Sequence, residues 1–469
     1  MKYLLTTSLI LFSITSIFGQ SVEEKLAREY TRFESDPQLK HATSSLYVID
    51  ANTGKVIFDK NSTVGLAPAS TQKIITSVTA FELLGSNYRY KTILSYEGEI
   101  RQGTLMGNIR ITGTGDPTFG SWRYSSTKEE KIWKEWVSAI KAKGIKSING
   151  NIIADDKAWE SQTLPGGWMW DDMGNYYGAG SSALNWRENQ YDLILKPGHK
   201  EGDPATIVNT KPALHGVKLK SELTTGKKGS GDNAYIYLPP YASFGFVRGT
   251  IPLGESPFTI SGSIPNPGQQ FAIAFAQQLQ ENDIKAGGIP SNYYSSAEKN
   301  NVLKKANVIL THQSPSLDSI IFWFNRRSIN LYGESLLKTI SFEKNGFGRT
   351  DSGLSILHRF WEEKGIDENE LNMNDGSGLS PLNRVTTHAQ VEILKYARTR
   401  KWYNSFYEAL PEFNGMKMKS GTISGVKGFC GYHRSSEGRE YIFSFLVNNY
   451  NGRASSLVNK MYAVLNELK

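Results

Sequence analysis

Pro68-Ala69-Ser70-Thr71-Gln72-Lys73 opens an apolar run in which Ile74, Val78, Phe81 and Leu84 recur at helical spacing. That period predicts an amphipathic, buried helix. Ser70 falls on its first turn, where unpaired backbone N–H groups and the positive end of the helix dipole lie. Lys73 follows three residues later, so its side chain rises on nearly the same face. A hydroxyl beside an amine at a helix N-terminus is an arrangement for an activated nucleophile. The pattern Ser-x-x-Lys is weak by itself. It recurs at Ser125, Ser138, Ser296, Ser335, Ser341 and Ser424, so whatever distinguishes Ser70 lies elsewhere in the chain.

Working outward from this helix, a polar helix is expected from Ser21 to Phe33. Ser45 to Asp50 and Lys55 to Asp59 alternate around Asn52-Thr53-Gly54, a β-hairpin signal. The far end mirrors this. Gly415 to Ser420, Gly425 to Arg434 and Glu440 to Asn448 read as strands, and a helix is expected from about Ser455 to Leu468. Two strand-rich, helix-flanked ends predict one antiparallel sheet built from both termini, in an α/β (α+β) domain. From 86 to 288 the character changes to short strands between Gly- and Pro-rich turns, with helices at Glu129 to Lys143 and Pro267 to Asn282. This block reads as a mostly-β insertion. The catalytic unit is thus expected to be discontinuous, residues 20–85 and 289–469, with a strand from Ala306 to Leu310 and helices at 315–326, 328–340, 352–364 and 387–398.

Composition narrows the setting. The chain has 469 residues, 39% of them hydrophobic, enough for two or more ordinary domains. Met1 and Lys2 precede an uncharged apolar run from Tyr3 to Phe18, and Gly19 is small enough to precede a cleavage point. Residues 1–19 therefore read as an export signal, which places the mature chain in the periplasm or cell envelope. A single cysteine, Cys430, in apolar context reads as a small buried hydrophobe and excludes an internal disulfide framework. The net charge of +8, or +7 once Lys2 leaves, suits work beside an anionic polymer or peripheral contact with a membrane surface. No dense Lys/Arg block points to nucleic acid. Neither His-Glu-x-x-His nor a Gly-x-Ser-x-Gly elbow occurs, so metal and triad mechanisms lack a motif.

Two further stretches single out Ser70. Ser328-Ile329-Asn330 sits between apolar helical runs, placed to present a hydroxyl and an amide to a cleft. Lys419-Ser420-Gly421-Thr422 lies on an expected strand, where Gly421 leaves room for a substrate backbone and Lys419 adds positive charge. The order Ser-x-x-Lys, Ser-x-Asn, Lys-Ser/Thr-Gly resembles the penicillin-binding protein and serine β-lactamase superfamily. The 257 residues between Ser70 and Ser328 are similar to those of the D-alanyl-D-alanine carboxypeptidase/endopeptidase family related to penicillin-binding protein 4 (serine peptidase family S13). So are Gly113-Thr114-Gly115-Asp116-Pro117-Thr118, Trp168-x-Trp170-Asp171-Asp172-Met173, and Asp375-Gly376-Ser377-Gly378-Leu379-Ser380 with Asn383 following. Two departures are mild: Ile329 where Asp is commoner, and Ser420 where Thr is commoner.

The resemblance implies a transpeptidase/β-lactamase-like domain split by an insert, no cofactor, peptidoglycan stem peptides as substrate, and β-lactams as covalent inhibitors. By position, it implies that Ser70 attacks the carbonyl of the penultimate D-alanine with Lys73 as general base. Ser328 and Asn330 would relay protons and hold substrate. The Ser70 and Thr422 N–H groups would form an oxyanion hole, and Lys419, Ser420 and Thr422 would bind the terminal carboxylate. Asp172 is a candidate contact to a substrate amine, and Asp375 to Ser380 is expected to be a turn that shapes the site. Two alternatives have their own signals. Glu368-x-x-Leu371-Asn372 matches the deacylating glutamate pattern of class A β-lactamases, and a catalytically silent wall-binding protein would keep the same fold.

Overall fold

The computed structural model describes residues 20–293 and 306–469. The expected leader, residues 1–19, and the Ser296 match lie outside them. The helix Val22–Glu34 starts at a capping box: Ser21 Oγ accepts from the Glu24 N–H and Glu24 Oε2 from the Ser21 N–H, each at 3.2 Å. Its buried stripe, Leu26, Tyr30 and Phe33, packs with Leu457, Met461 and Val464 of the C-terminal helix Ala454–Asn466.

Both helices cover one face of a six-stranded sheet. Its order is Val56–Lys60, Thr43–Asp50, Glu440–Asn448, Val426–Arg434, Met416–Ile423, Glu412–Phe413. Every neighbouring pair is antiparallel. Thr43–Asp50 pairs along its whole length with Glu440–Asn448, from Thr43 opposite Asn448 to Asp50 opposite Tyr441, so the two ends of the chain are joined as their patterns predict. Strand alternation then divides the side chains between two cores. Leu46 and Val48 face the terminal helices, whereas Tyr47 and Ile49 face the helical layer that holds Lys73–Leu84 and Thr387–Arg398. Cys430 is buried on that second side, 3.8 Å from the Thr71 carbonyl oxygen.

Two helices are buried more completely than their periodicity suggests. In Lys73–Leu84 every residue from 73 to 81 is buried, and in Asn330–Asn345 every residue from 330 to 341 is. These are central helices packed on all sides rather than surface helices with one apolar stripe.

The segment between them forms its own cores. A five-stranded sheet runs Ser291–Asn292, Ile152–Asp155, Ile109–Gly113, Lys91–Tyr96, Asn307–Gln313 and packs with the helices Glu129–Ala142 and Pro267–Glu281. Two three-stranded sheets built from residues between 190 and 263 enclose another core. The strand expected to resume the catalytic unit, observed at Asn307–Gln313, pairs instead with Lys91–Tyr96. A short apolar run carries no information about its partner, so the pairing was not legible from pattern alone.

Candidate active site

The nucleophile turn is more contorted than a plain helix start. A 3-10 turn, Ala69–Gln72, precedes the α-helix, so Ser70 stands on the turn and Lys73 opens the helix proper. Ala69 has φ +46° and is fully buried, a left-handed conformation that a residue with a Cβ adopts only where its surroundings enforce it. Two glycines do so. A Cβ on Gly378 would sit 1.9 Å from the Ala69 oxygen, and one on Gly421 would lie 2.6 Å from the Pro68 oxygen and 2.9 Å from the Ser70 and Thr71 nitrogens. Gly421 is thus needed for the close approach of the nucleophile turn, where sequence reasoning had assigned its space to a substrate backbone.

Lys73 is fully buried. Its Nζ lies 2.6 Å from the Ser377 carbonyl oxygen, 2.7 Å from Asn330 Oδ1 and 2.9 Å from Ser70 Oγ. The first two can only accept, so they take two N–H bonds and orient the remaining tetrahedral position toward the serine hydroxyl. Burial, reinforced by the charge of Lys419 and opposed by Asp375 and Glu334, holds the Lys73 pKa well below that of an ordinary lysine. A neutral amine so placed can take the proton of Ser70. Asn330 in turn donates from Nδ2 to the Tyr177 carbonyl at 2.8 Å.

Ser70, Ser328, Asn330, Thr422 and Asp172 line one cleft of about 710 Å³. Ser328 has φ +55°, a second strained residue at the same place. Asp172 stands on the short helix Trp170–Met173, and its carboxyl is raised chiefly by burial, against a hydrogen bond from Tyr177. Lys419 is not among the cleft-lining residues. It is buried opposite Cys430 in the sheet register, donates to the Ser420 carbonyl at 2.8 Å, and is depressed to about 7, chiefly by burial. Thr422 Oγ1 accepts from Lys427 Nζ at 2.8 Å.

The Asp375 loop is the brace of this arrangement. Asp375 is fully buried and accepts five hydrogen bonds: from Gln72 Nε2, the Gly378 N–H and Asn383 Nδ2 on one oxygen, and from Trp168 Nε1 and the Ser380 N–H on the other. It therefore ties the nucleophile turn, through Gln72, to Trp168. Glu334, one helical turn after Asn330, is also buried. It accepts from the Gly376 N–H at 3.0 Å, and burial followed by the neighbouring Asp375 charge raises its carboxyl to about 8. Sequence reasoning did not single out Glu334, Ser377 or Gln72. A charge four residues after Asn330 inside an apolar helix was the available signal for Glu334.

Two of the competing motifs lie elsewhere, whereas Ser424 lines the same cleft. Glu368 is exposed on the 3-10 turn Glu368–Glu370 and is absent from the cleft lining, unlike a group that activates water beside Ser70. Ser335 and Lys338 are buried within the Asn330–Asn345 helix, where Lys338 Nζ bonds to the Gln162 carbonyl at 2.5 Å. Of the tryptophans between 159 and 186, Trp159, Trp168 and Trp186 are core and Trp170 is exposed.

Residues 26–412 match the D-Ala-D-Ala carboxypeptidase 3 (S13) family. A D-alanyl-D-alanine carboxypeptidase of Actinomadura sp. (strain R39) is 28% identical over 92% of this chain and 82% of its own. The Haemophilus influenzae D-alanyl-D-alanine carboxypeptidase DacB is 23% identical over 85% of this chain and 84% of its own. The crystal structure of penicillin-binding protein 4 (dacB) from Haemophilus influenzae superimposes with TM-score 0.79 at 20% identity, covering 95% of this chain and 99% of that one. The chain therefore has the transpeptidase-like fold, and it is a member of the D-Ala-D-Ala carboxypeptidase 3 (S13) family, a serine-type hydrolase.

Proposed function

We propose that the protein cleaves D-alanyl-D-alanine stem peptides of peptidoglycan through an acyl-enzyme on Ser70. The observation that carries this reading is the amine of Lys73, pinned by two carbonyl acceptors with its third position at Ser70 Oγ. In the proposed cycle Ser70 Oγ attacks the penultimate D-alanine carbonyl as its proton passes to Lys73 Nζ. The N–H groups of Ser70 and Thr422 stabilise the oxyanion. Ser328 delivers a proton to the departing amine as the C–N bond breaks and is reprotonated by the proton Lys73 took from Ser70, leaving Lys73 neutral and an ester on Ser70. Water then attacks the ester, its proton returning through Lys73, and Ser70 is regenerated. Asn330 holds the substrate and Lys73. Ser420, Gly421 and Thr422 flank the terminal carboxylate, with buried Lys419 supplying positive potential. Asp172 receives an amine of the stem peptide. β-Lactams acylate Ser70 in the same way and leave slowly.

The catalytic unit in this reading comprises 20–85 and the C-terminal part of the chain, with the block after residue 85 as an insert, and the apolar leader directs export to the envelope. Mass spectrometry of muropeptides digested with purified protein tests the function. Pentapeptides should become tetrapeptides, and cross-linked dimers should fall to monomers if a cross-bridge amine is also accepted as leaving group. Muropeptides left unchanged in both respects would overturn the reading.

A further inference from the structure

Two guanidinium groups that the acyl-transfer steps do not use also line the cleft, Arg123 and Arg327. Both lie over the same indole, their Cζ atoms 5.7 and 5.9 Å from the centre of the Trp323 ring, and Arg123 is also 5.4 Å from Trp122. An aromatic face fixes a guanidinium plane without consuming its N–H donors, which stay available for a planar acceptor. Arg327 immediately precedes Ser328 and is exposed.

Arg123 is held by an elaborate support. Its Nε donates to both oxygens of Glu188, at 2.8 and 3.2 Å, while among the described residues its terminal nitrogens have no hydrogen-bond partner. Glu188 is fully buried and also accepts from Ser121 Oγ at 2.7 Å and the Tyr332 hydroxyl at 2.9 Å. Tyr332 lies two residues after Asn330 on the same helix. The turn presenting Glu188 runs through Arg187, Glu188 and Asn189 with φ of 55°, 53° and 52°, three consecutive non-glycine residues in the left-handed region. L-residues avoid that region, and strain of this kind persists where the surrounding structure enforces it. Asn189 supplies part of that enforcement, bonding the Trp186 N–H, the Gly180 carbonyl and Asn185. A strained turn and a buried carboxylate therefore hold one edge of an arginine and leave its other edge to the cleft.

Glu188 neutralises one of the two positive charges, and Arg327 remains without a carboxylate partner among the described residues. We propose that Arg123 and Arg327 form a subsite for a carboxylate of the substrate peptide other than its C-terminal one, with Glu188 as the positioning residue for Arg123. The inference rests on the peptidase reading above, since stem peptides carry such carboxylates on the second residue and on the diamino acid. The fork of a guanidinium is suited to a planar carboxylate, and both groups line the same cleft.

Steady-state kinetics with three synthetic pentapeptides test it: one with both internal carboxylates free, and one amidated at each position in turn. The intact protein should show KM raised at least about fivefold, one pair of charge-assisted bonds being worth more than 1 kcal/mol, by amidation at one position, which identifies the source. Arg327→Gln, and the pair Arg123→Gln with Glu188→Gln that leaves no charge buried alone, should reduce that difference to under about twofold. Thermal melting checks that each variant is folded. Equal KM for all three peptides with the intact protein, or an equal loss on all three in both variants, would overturn the subsite alone. Failure of the intact protein to cleave any peptide or to take up penicillin would overturn the peptidase reading and the subsite with it.

Discussion

Replacing Gly421 with alanine tests how the nucleophile turn is held. The added Cβ would meet the Pro68 oxygen at 2.6 Å and the Ser70 and Thr71 nitrogens at 2.9 Å, all backbone atoms without the freedom of a side chain. Ordinary carbon contacts need about 3.5 Å, so the turn or the strand must yield by roughly 0.6–0.9 Å. The atom displaced includes the Ser70 nitrogen, a donor of the proposed oxyanion hole. Misplacement on the order of 1 Å costs about 10²-fold in rate, and overpacking of this size costs about 1–3 kcal/mol in stability. Stopped-flow acylation with a fluorescent penicillin should therefore slow by one to two orders of magnitude in Gly421→Ala, with a lowered Tm. Acylation within twofold of the parent at unchanged Tm would show that Gly421 is not wedged against the turn and that its space serves the substrate.

Three other outcomes follow from the same geometry. Asp375→Asn converts one acceptor oxygen into a donor facing N–H groups, so denaturant unfolding should show a loss of about 3 kcal/mol, two charge-assisted bonds, and penicillin labelling should slow with it. For Glu334, the unfolded chain releases its proton near 4.5 and the folded protein near 8, so stability falls as pH rises through that window; Glu334→Gln should gain in Tm over the parent between pH 5 and pH 9, and a constant difference would contradict the burial argument. With Glu368 exposed away from the cleft, nitrocefin should give one slow covalent adduct per chain, and rapid multiple turnover would favour a β-lactamase.

The paired ends of the chain were legible because strands with one face on each of two cores must alternate, and Leu46 to Ile49 and Tyr441 to Val447 do so. Ser70, Ser328 and Asn330, which line one cleft, could be picked out because their motifs follow one another in a recognisable order. What the sequence concealed was support made by backbone and burial. Ser377 acts through a carbonyl oxygen, which every residue has. The strain at Ala69 and at Arg187 to Asn189 leaves no compositional mark, since none is glycine. Gly421 was noticed for the right reason, a close approach, but its neighbour belongs to a turn 350 residues earlier, which only the folded chain brings there. Lys419, expected at the cleft, is buried on the sheet face that packs against the nucleophile turn, opposite Cys430, where its charge lowers the Lys73 pKa.

Everything proposed for the chemistry passes through one covalent bond, from Ser70 Oγ to an acyl group. Mass spectrometry of the intact protein after brief exposure to penicillin, followed by peptide mapping, looks at that bond directly. The account predicts a single adduct on the peptide carrying Ser70, absent from Ser70→Ala and slowed when Lys73 is replaced by methionine. An adduct on any other residue, or one that survives Ser70→Ala, would contradict it.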